Sequence, residues 1–252
     1  ALDIMAGPIE REARGWQLNL PESRKSSLKD FNIAIWSNDE MAPVSKDISQ
    51  RCEEVGKNLA SVGANVSYTA KPDHDFLKGE INYQLLLQSV MQSGMSDDEF
   101  KKIEEIASNL DKNDLSAEAI LAKGTVLSHR NWIRQNYARE QIKISWSKFF
   151  QEWDILICPQ LATTAIKHDH GKISERTIMI DNQEQRFFQQ IFWPGLAVNA
   201  HLPSTVFPTG LASDGMPIGL QAIGGAYEDK TTIKFAELYE QEFKAFVVPN
   251  LD

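Results

Sequence analysis

Apolar side chains return along this chain with two different periods, and the switches between them outline its elements. Phe31-Asn32-Ile33-Ala34-Ile35-Trp36 alternates and is rich in bulky residues, which predicts a strand. Val44, Ile48, Val55, Leu59 and Val62 then recur at helical spacing until Gly63 stops them. Residues 64–68 return to an extended pattern. Strand, helix and strand in this order predict a parallel βαβ crossover, right-handed because twisted strands of L-residues favour that hand.

Residues 73–153 read as mainly helical. Asp73 is placed to cap a helix carrying Phe76, Ile81, Leu85, Leu86 and Val90, with Gly94 at its end. Ser96-Asp97-Asp98-Glu99 has the capping-box pattern ahead of a charged, more exposed helix. Ser116 opens a helix-rich stretch interrupted by Gly124. Its stripe of Trp132, Ile133, Tyr137, Ile142, Trp146 and Phe149 is expected to pack in the core rather than to form a ligand box. Ile155-Leu156-Ile157-Cys158 is a buried strand that Pro159 should stop. Residues 160–185 are loop-rich, with a strand or hairpin near 177–180. An apolar helix over 187–200 is weakened by Pro194 and Gly195. Two strands follow near 205–207 and 218–223, and a last amphipathic helix spans 229–243. Residues 9–30 are a polar, irregular connection, and no repeat or clean linker divides the chain. The pattern predicts a single α/β domain over 1–252 with a helical insertion at about 73–153.

Composition narrows the partners. The 252 residues are 42% hydrophobic and 24% charged, enough for a sizeable core. A formal net charge of -9 disfavours a nucleic-acid partner. No apolar run approaches membrane-spanning length, and residues 1–7 are too short and too soon followed by charges for a secretory leader. Cys52 and Cys158 are expected as buried free thiols in a reducing compartment, so a cytoplasmic location is expected.

Local chemistry is sparse. His168-Asp169-His170 has metal-ligating side chains, but three consecutive residues rarely make a compact site unaided, so a polar loop is expected. Cys158 with either histidine would imitate a Cys–His hydrolase, yet a strand-end cysteine before proline should be buried and inert. Lys25-Ser26-Ser27 lacks glycine neighbours and lies in a charged connection, where a solvated loop is expected. Thr163-Thr164 and Ser128-His129 lack an evident base and orienting partner. Gln221 alternates with apolar neighbours, so its amide points either into a polar site or at backbone.

The joint order of five blocks resembles the C-terminal part of amidase-signature hydrolases. They are residues 1–8; Lys123-Gly124-Thr125-Val126-Leu127-Ser128 with Tyr137-Ala138; Phe149-Phe150, Trp153-Asp154-Ile155-Leu156 and Cys158-Pro159; Phe188-Gln189-Gln190-Ile191-Phe192-Trp193 with Gly195-Leu196-Ala197 and Leu202-Pro203; and residues 215–224 followed by Asp229, Thr231, Thr232 and Ala236. The resemblance implies a mixed β-sheet covered by helices and hydrolysis of small-molecule carboxamides through a Ser–Ser–Lys triad. No metal or organic cofactor is implied. It also implies that Phe192 or Trp193 borders an acyl pocket, with Gln221 near it. The glycine-rich serine loop of the triad has no counterpart here, so the catalytic residues are expected upstream of this chain. By itself the chain is expected to be inactive and to self-associate or pair with the N-terminal half. Two alternatives remain: a non-catalytic shortened module, and the glutamine-hydrolysing A component of an amidotransferase. The latter holds glutamine with an arginine near the position of Ile120, and that departure favours a plain amidase. A self-sufficient enzyme using residues 168–170 is a third reading.

Overall fold

A computed structural model describes residues 1–171 and 176–249. A five-stranded mixed sheet, ordered β2-β1-β3-β7-β6, forms its centre. The apolar alternation of β1 (Asn32–Ile35) does produce a strand, and it pairs in parallel with both β2 (Asn65–Ser67) and β3 (Ile155–Pro159). Beyond β3 the direction reverses. β7 (Pro217–Ile223) runs antiparallel to β3, and β6 (Ser204–Leu211) runs antiparallel to β7 as the outermost strand. The sheet is therefore mixed, as its sequence blocks implied. Pro159 does not stop β3 early; it pairs with Leu220 as the last strand residue. Every residue of β3 is buried, which accounts for its unbroken apolar run.

The two faces of the sheet follow from the period of two. Ile35 lies under Gly56 of α2 (Lys46–Ser61), where an added Cβ would come 3.1 Å from the Ile35 side chain. Phe31 and Phe207 meet Phe235 of α8 (Asp229–Phe243) edge-on, at 5.6 and 5.4 Å. The next residue after β1, Trp36, turns the other way. It packs against Phe192 and Trp193 of α7 (Phe192–Ala200) at 5.9 and 5.5 Å, and against Phe76 at 4.7 Å. Alternating side chains thus tie one strand to two helical layers.

Between β2 and β3 run four helices: α3 (Phe76–Met91), α4 (Asp97–Asn109), α5 (Ala117–Thr125) and α6 (His129–Phe149). A short helix, α1 (Leu2–Met5), opens the chain. The capping box at Ser96 and Glu99 forms as its pattern predicts, and Ser116 caps α5. Several details differ from the sequence reading. Asp75, not Asp73, caps α3, accepting a hydrogen bond from Lys78 N at 3.0 Å, and α3 ends at Met91, short of Gly94. Gly124 lies inside α5 instead of interrupting it. There it lets α5 approach α3, because a Cβ would fall 2.7 Å from that of Gln88. The aromatic stripe is core only at its end: Trp146 and Phe149 are buried, whereas Tyr137 is 69% exposed. Pro194 does not weaken α7. It occupies the first turn, where a missing N–H removes no intrahelical bond. A 3₁₀ turn over Phe187–Ile191 precedes that helix, and a hairpin of β4 (Thr177–Ile180) and β5 (Gln183–Arg186) leads into the turn.

Candidate functional site

A cavity of about 310 Å³ opens where α3, α5, the β4–β5 hairpin and the 3₁₀ turn converge. Its size suits a small organic ligand. Leu77 and Ile81 of α3 form an apolar wall with Ile120 and Leu121 of α5, and Phe187, Phe188 and Phe192 add aromatic rings. Its polar positions come from every side: Glu80, Gln84 and Gln88 from α3, Glu118 from α5, and Arg176 and Arg186 flanking the hairpin. Arg186 pairs with Glu118 at 2.6 Å and so ties the hairpin to α5. The pair lowers the Glu118 carboxyl and raises the Arg186 guanidinium, chiefly through their direct hydrogen bond. Both side chains are more than half exposed, so the pair orients more than it stabilises. The Arg176 guanidinium donates to the Gly171 carbonyl at 3.0 and 2.8 Å.

Among the described residues no Ser, Thr, Cys, His or Lys lines this cavity. It can hold a ligand between aromatic and charged groups, but its described walls carry no hydroxyl, thiol, amine or imidazole, and offer as a base only the Glu80 and Glu118 carboxylates.

The residues singled out in the sequence separate into wall and framework. Phe192 lines the cavity. Trp193 does not; it is fully buried, and its indole Nε1 donates to the Ala42 carbonyl at 3.1 Å. Gln221, 1% exposed, also lies outside the cavity. Its Nε2 donates to the carbonyls of Pro159 and Trp193 at 2.9 and 2.8 Å, while Oε1 accepts from Ser204 Oγ at 3.0 Å. That amide joins the end of β3 to α7 and β6. Ile120 does face the cavity.

The decoys behave as local structure. Lys25 lies 3.6 Å from Asp154, whose other contacts are Arg24 and the Asn32 N–H, so its ammonium is paired with a carboxylate and not with Ser26 or Ser27. His168, Asp169 and His170 are exposed, and Asp169 Oδ1 accepts from Gly171 N at 2.7 Å. Among the described residues no cluster of three His, Cys, Asp or Glu side chains could hold a metal. Burial pushes the Cys52 and Cys158 thiols well above their ordinary range. Neither should therefore react measurably with a disulfide reagent such as DTNB in the folded chain, whereas both should in denaturant. Rapid labelling of a thiol under native conditions would contradict this burial.

What sequence reasoning missed is the α3 contribution. Glu80, Gln84 and Gln88 recur at i, i+4 and i+8, a polar stripe along one line of the helix. That spacing is visible in the sequence, though the cavity it faces is not.

Fold and cavity together describe a ligand-holding α/β module: a mixed sheet that positions a helical layer around a pocket. The chain belongs to the Amidase family, whose model matches residues 1–233. Across 95% of its length it is 24% identical to the A component of the glutamyl-tRNA(Gln) amidotransferase of Oceanobacillus iheyensis, covering 51% of that protein. A shorter stretch of 111 residues is 32% identical to the corresponding protein of Thermosynechococcus vestitus. Among solved structures, a bacterial aryl acylamidase of the amidase-signature family superposes with a TM-score of 0.64 at 17% identity, over 93% of this chain and 48% of that one. The A component of the Thermotoga maritima glutamyl-tRNA(Gln) amidotransferase does so with 0.64 at 17%, over 96% and 49%. These structural likenesses place the fold as the C-terminal portion of the amidase-signature architecture. The chain spans about half the length of such relatives. No helix among the described residues is long and apolar enough to cross a membrane.

Proposed function

We propose that this chain is the substrate-side portion of an amidase that cleaves carboxamide C–N bonds. The observation that carries this reading is a ligand-sized cavity, with no hydroxyl, thiol or amine among its described walls, in a chain of the Amidase family. In the whole enzyme a Ser–Ser–Lys triad on other polypeptide would attack the carbonyl, expel ammonia or an amine, and pass the acyl group to water. The residues here would hold the acyl part. Phe192 is the side chain proposed to border it, with Phe187 and Phe188 favouring an apolar or aryl group. Trp193 and Gln221 are proposed to act from behind, by fixing α7 and thus Phe192.

The triad-bearing polypeptide needs a docking surface. β6 is one of the two edge strands of the sheet, and Val206 and Leu211 on it are 52% and 40% exposed. An apolar strand edge of this kind favours pairing with further strands. We assign it to the remaining part of the enzyme, with a second copy of this chain as its substitute in isolation. A cytoplasmic setting belongs to the same reading.

A second reading follows from the relatives named as amidotransferase components, in which glutamine would be the amide hydrolysed. Ile120 in the cavity wall, where an arginine would bind the glutamine carboxylate, speaks for a plain amidase instead.

Purified by itself, the chain should leave aryl and aliphatic anilides and glutamine untouched. Supplied with polypeptide carrying the triad, it should release product from anilides faster than from glutamine. Enzymatic turnover by this chain alone would overturn the reading, and a preference for glutamine would select the second one.

A further inference from the structure

Behind Phe192 and Glu80, which also border the large cavity, lies a second chamber of about 20 Å³. That volume accepts one small polyatomic group the size of a water molecule. Its walls are mostly rings: Phe76, Tyr83, Trp146, Phe192 and the His74 imidazole. His74 lies 4.3 Å from Phe76 and 6.2 Å from Trp146, centroid to centroid. Burial lowers the His74 pKa, so the ring is neutral at pH 7 and brings no positive charge. Its Nδ1 is 3.2 Å from Ser145 Oγ.

The polar part of the wall includes two acceptors, Glu80 and Asn199, beside the Tyr83 hydroxyl and the His74 imidazole. Asn199 is 6% exposed, and its Nδ2 is committed to the Gly79 carbonyl at 3.3 Å and to Asn82 Oδ1 at 3.4 Å. Asn82 in turn donates its own Nδ2 to Gln135, at 2.8 and 2.9 Å, which fixes its amide orientation. With both amides oriented, Asn199 Oδ1 is left buried and without a partner, a costly state for a carbonyl oxygen. Glu80 is half-buried, and its Oε1 accepts from Gln84 Nε2 at 2.8 Å. Among the described residues no cation pairs with it. Burial pushes its carboxyl up, only partly offset by the Gln84 hydrogen bond.

A carboxyl group without a cationic partner, an unpartnered carbonyl oxygen and several aromatic side chains in one wall are together complementary to a small cation that donates hydrogen bonds. We propose that this chamber binds one nitrogen cation, either an ammonium ion or the primary ammonium head of a larger ligand. Glu80 is its counter-ion, Asn199 Oδ1 its second acceptor, and the rings are its cage. A water molecule would satisfy Asn199 but offer an ionised Glu80 no counter-charge, a difference that Glu80→Gln reads out. A divalent metal would lack ligands, since among the described residues the chamber has one carboxylate and one imidazole. The inference goes beyond the amidase reading and stands without it, because it involves no turnover.

The test is a titration of the folded chain with ammonium chloride, against sodium chloride at equal ionic strength. The Trp146 indole resonance and the melting temperature are the readouts. A parallel titration uses 2-phenylethylammonium against 2-phenylethanol. Ammonium should shift Trp146 and raise the melting temperature at concentrations at least about tenfold below those at which sodium acts, an energy difference of about 1.4 kcal/mol. A response to both nitrogen cations, or to ammonium only, assigns the chamber to the free ion. A response to 2-phenylethylammonium only assigns it to a ligand head. Glu80→Gln, checked for a native circular dichroism spectrum, should weaken the response at least tenfold. The proposal is overturned if neither nitrogen cation outperforms its control, or if folded Glu80→Gln binds as the native chain does. Either result leaves amide hydrolysis by the whole enzyme to be judged separately.

Discussion

Replacing Gln221 with Leu is expected to destabilise the folded chain by about 2–4 kcal/mol, with the unfolding midpoint in urea falling accordingly. Leucine nearly matches the volume of glutamine, so packing changes little and hydrogen bonding decides the outcome. The native Nε2 satisfies two buried carbonyls, those of Pro159 and Trp193. The Pro159 carbonyl at the strand end would lose its buried side-chain donor at about 1–3 kcal/mol, and the Trp193 carbonyl, which also sits in the α7 ladder, would lose a second bond worth about 1 kcal/mol. Ser204 Oγ also loses its acceptor, but Ser204 is exposed and water replaces the bond. The position matters because β3, β7 and α7 come from distant parts of the chain and meet around this one amide. A loss below about 1 kcal/mol would show that the carbonyls find other donors, freeing Gln221 for a ligand.

The sequence revealed most where one period dominated over enough residues. Ile155–Pro159 is buried throughout and reads as an unbroken apolar run, while the last helix matches its expected bounds of 229–243. Element ends were less legible, because neighbouring residues compete for the same role. Asp73 and Asp75 are both good caps, and only the second accepts the Lys78 N–H. Glycine and proline were misread for a related reason. Their meaning depends on what approaches them, and neither the nearness of Gln88 to Gly124 nor the first-turn setting of Pro194 is written locally. The stripe on α6 shows the limit of periodicity. Trp146 and Tyr137 share the pattern, but only Trp146 joins the buried core, and Tyr137 is left in solvent. The cavity was the least legible feature. Its walls join residues 41, 77–88, 115–121 and 176–192, and no local pattern reports that convergence. The adjacent Phe192 and Trp193 likewise looked equivalent until the helix placed one in the cavity and the other behind it.

That last distinction leads to the second large effect. Trp193→Ala is expected to cost about 3–5 kcal/mol, the range for deleting a large buried aromatic side chain. The indole is fully buried, packs edge-on against Trp36 at 5.5 Å and Phe192 at 5.2 Å, and donates to Ala42. Removing it opens a void between β1 and α7 that neighbouring rings, already in contact with one another, fill poorly. Trp193→Phe separates the contributions. It keeps most of the ring contacts and deletes the hydrogen bond, leaving the buried Ala42 carbonyl unpaired, so a loss of about 1–3 kcal/mol is expected. Phe192→Ala should behave differently, since that ring borders both cavities and its removal enlarges them. In the assembled enzyme, Phe192→Ala should therefore change the ranking of acyl groups by kcat/KM, while Trp193→Phe should preserve the ranking and lower only stability. Chemical denaturation of the chain and a panel of anilides with graded acyl size would measure the two effects. A Trp193→Ala protein as stable as the native chain, with an altered acyl preference, would move the indole from the framework to the pocket. Phe192 would then no longer be the ring a substrate meets.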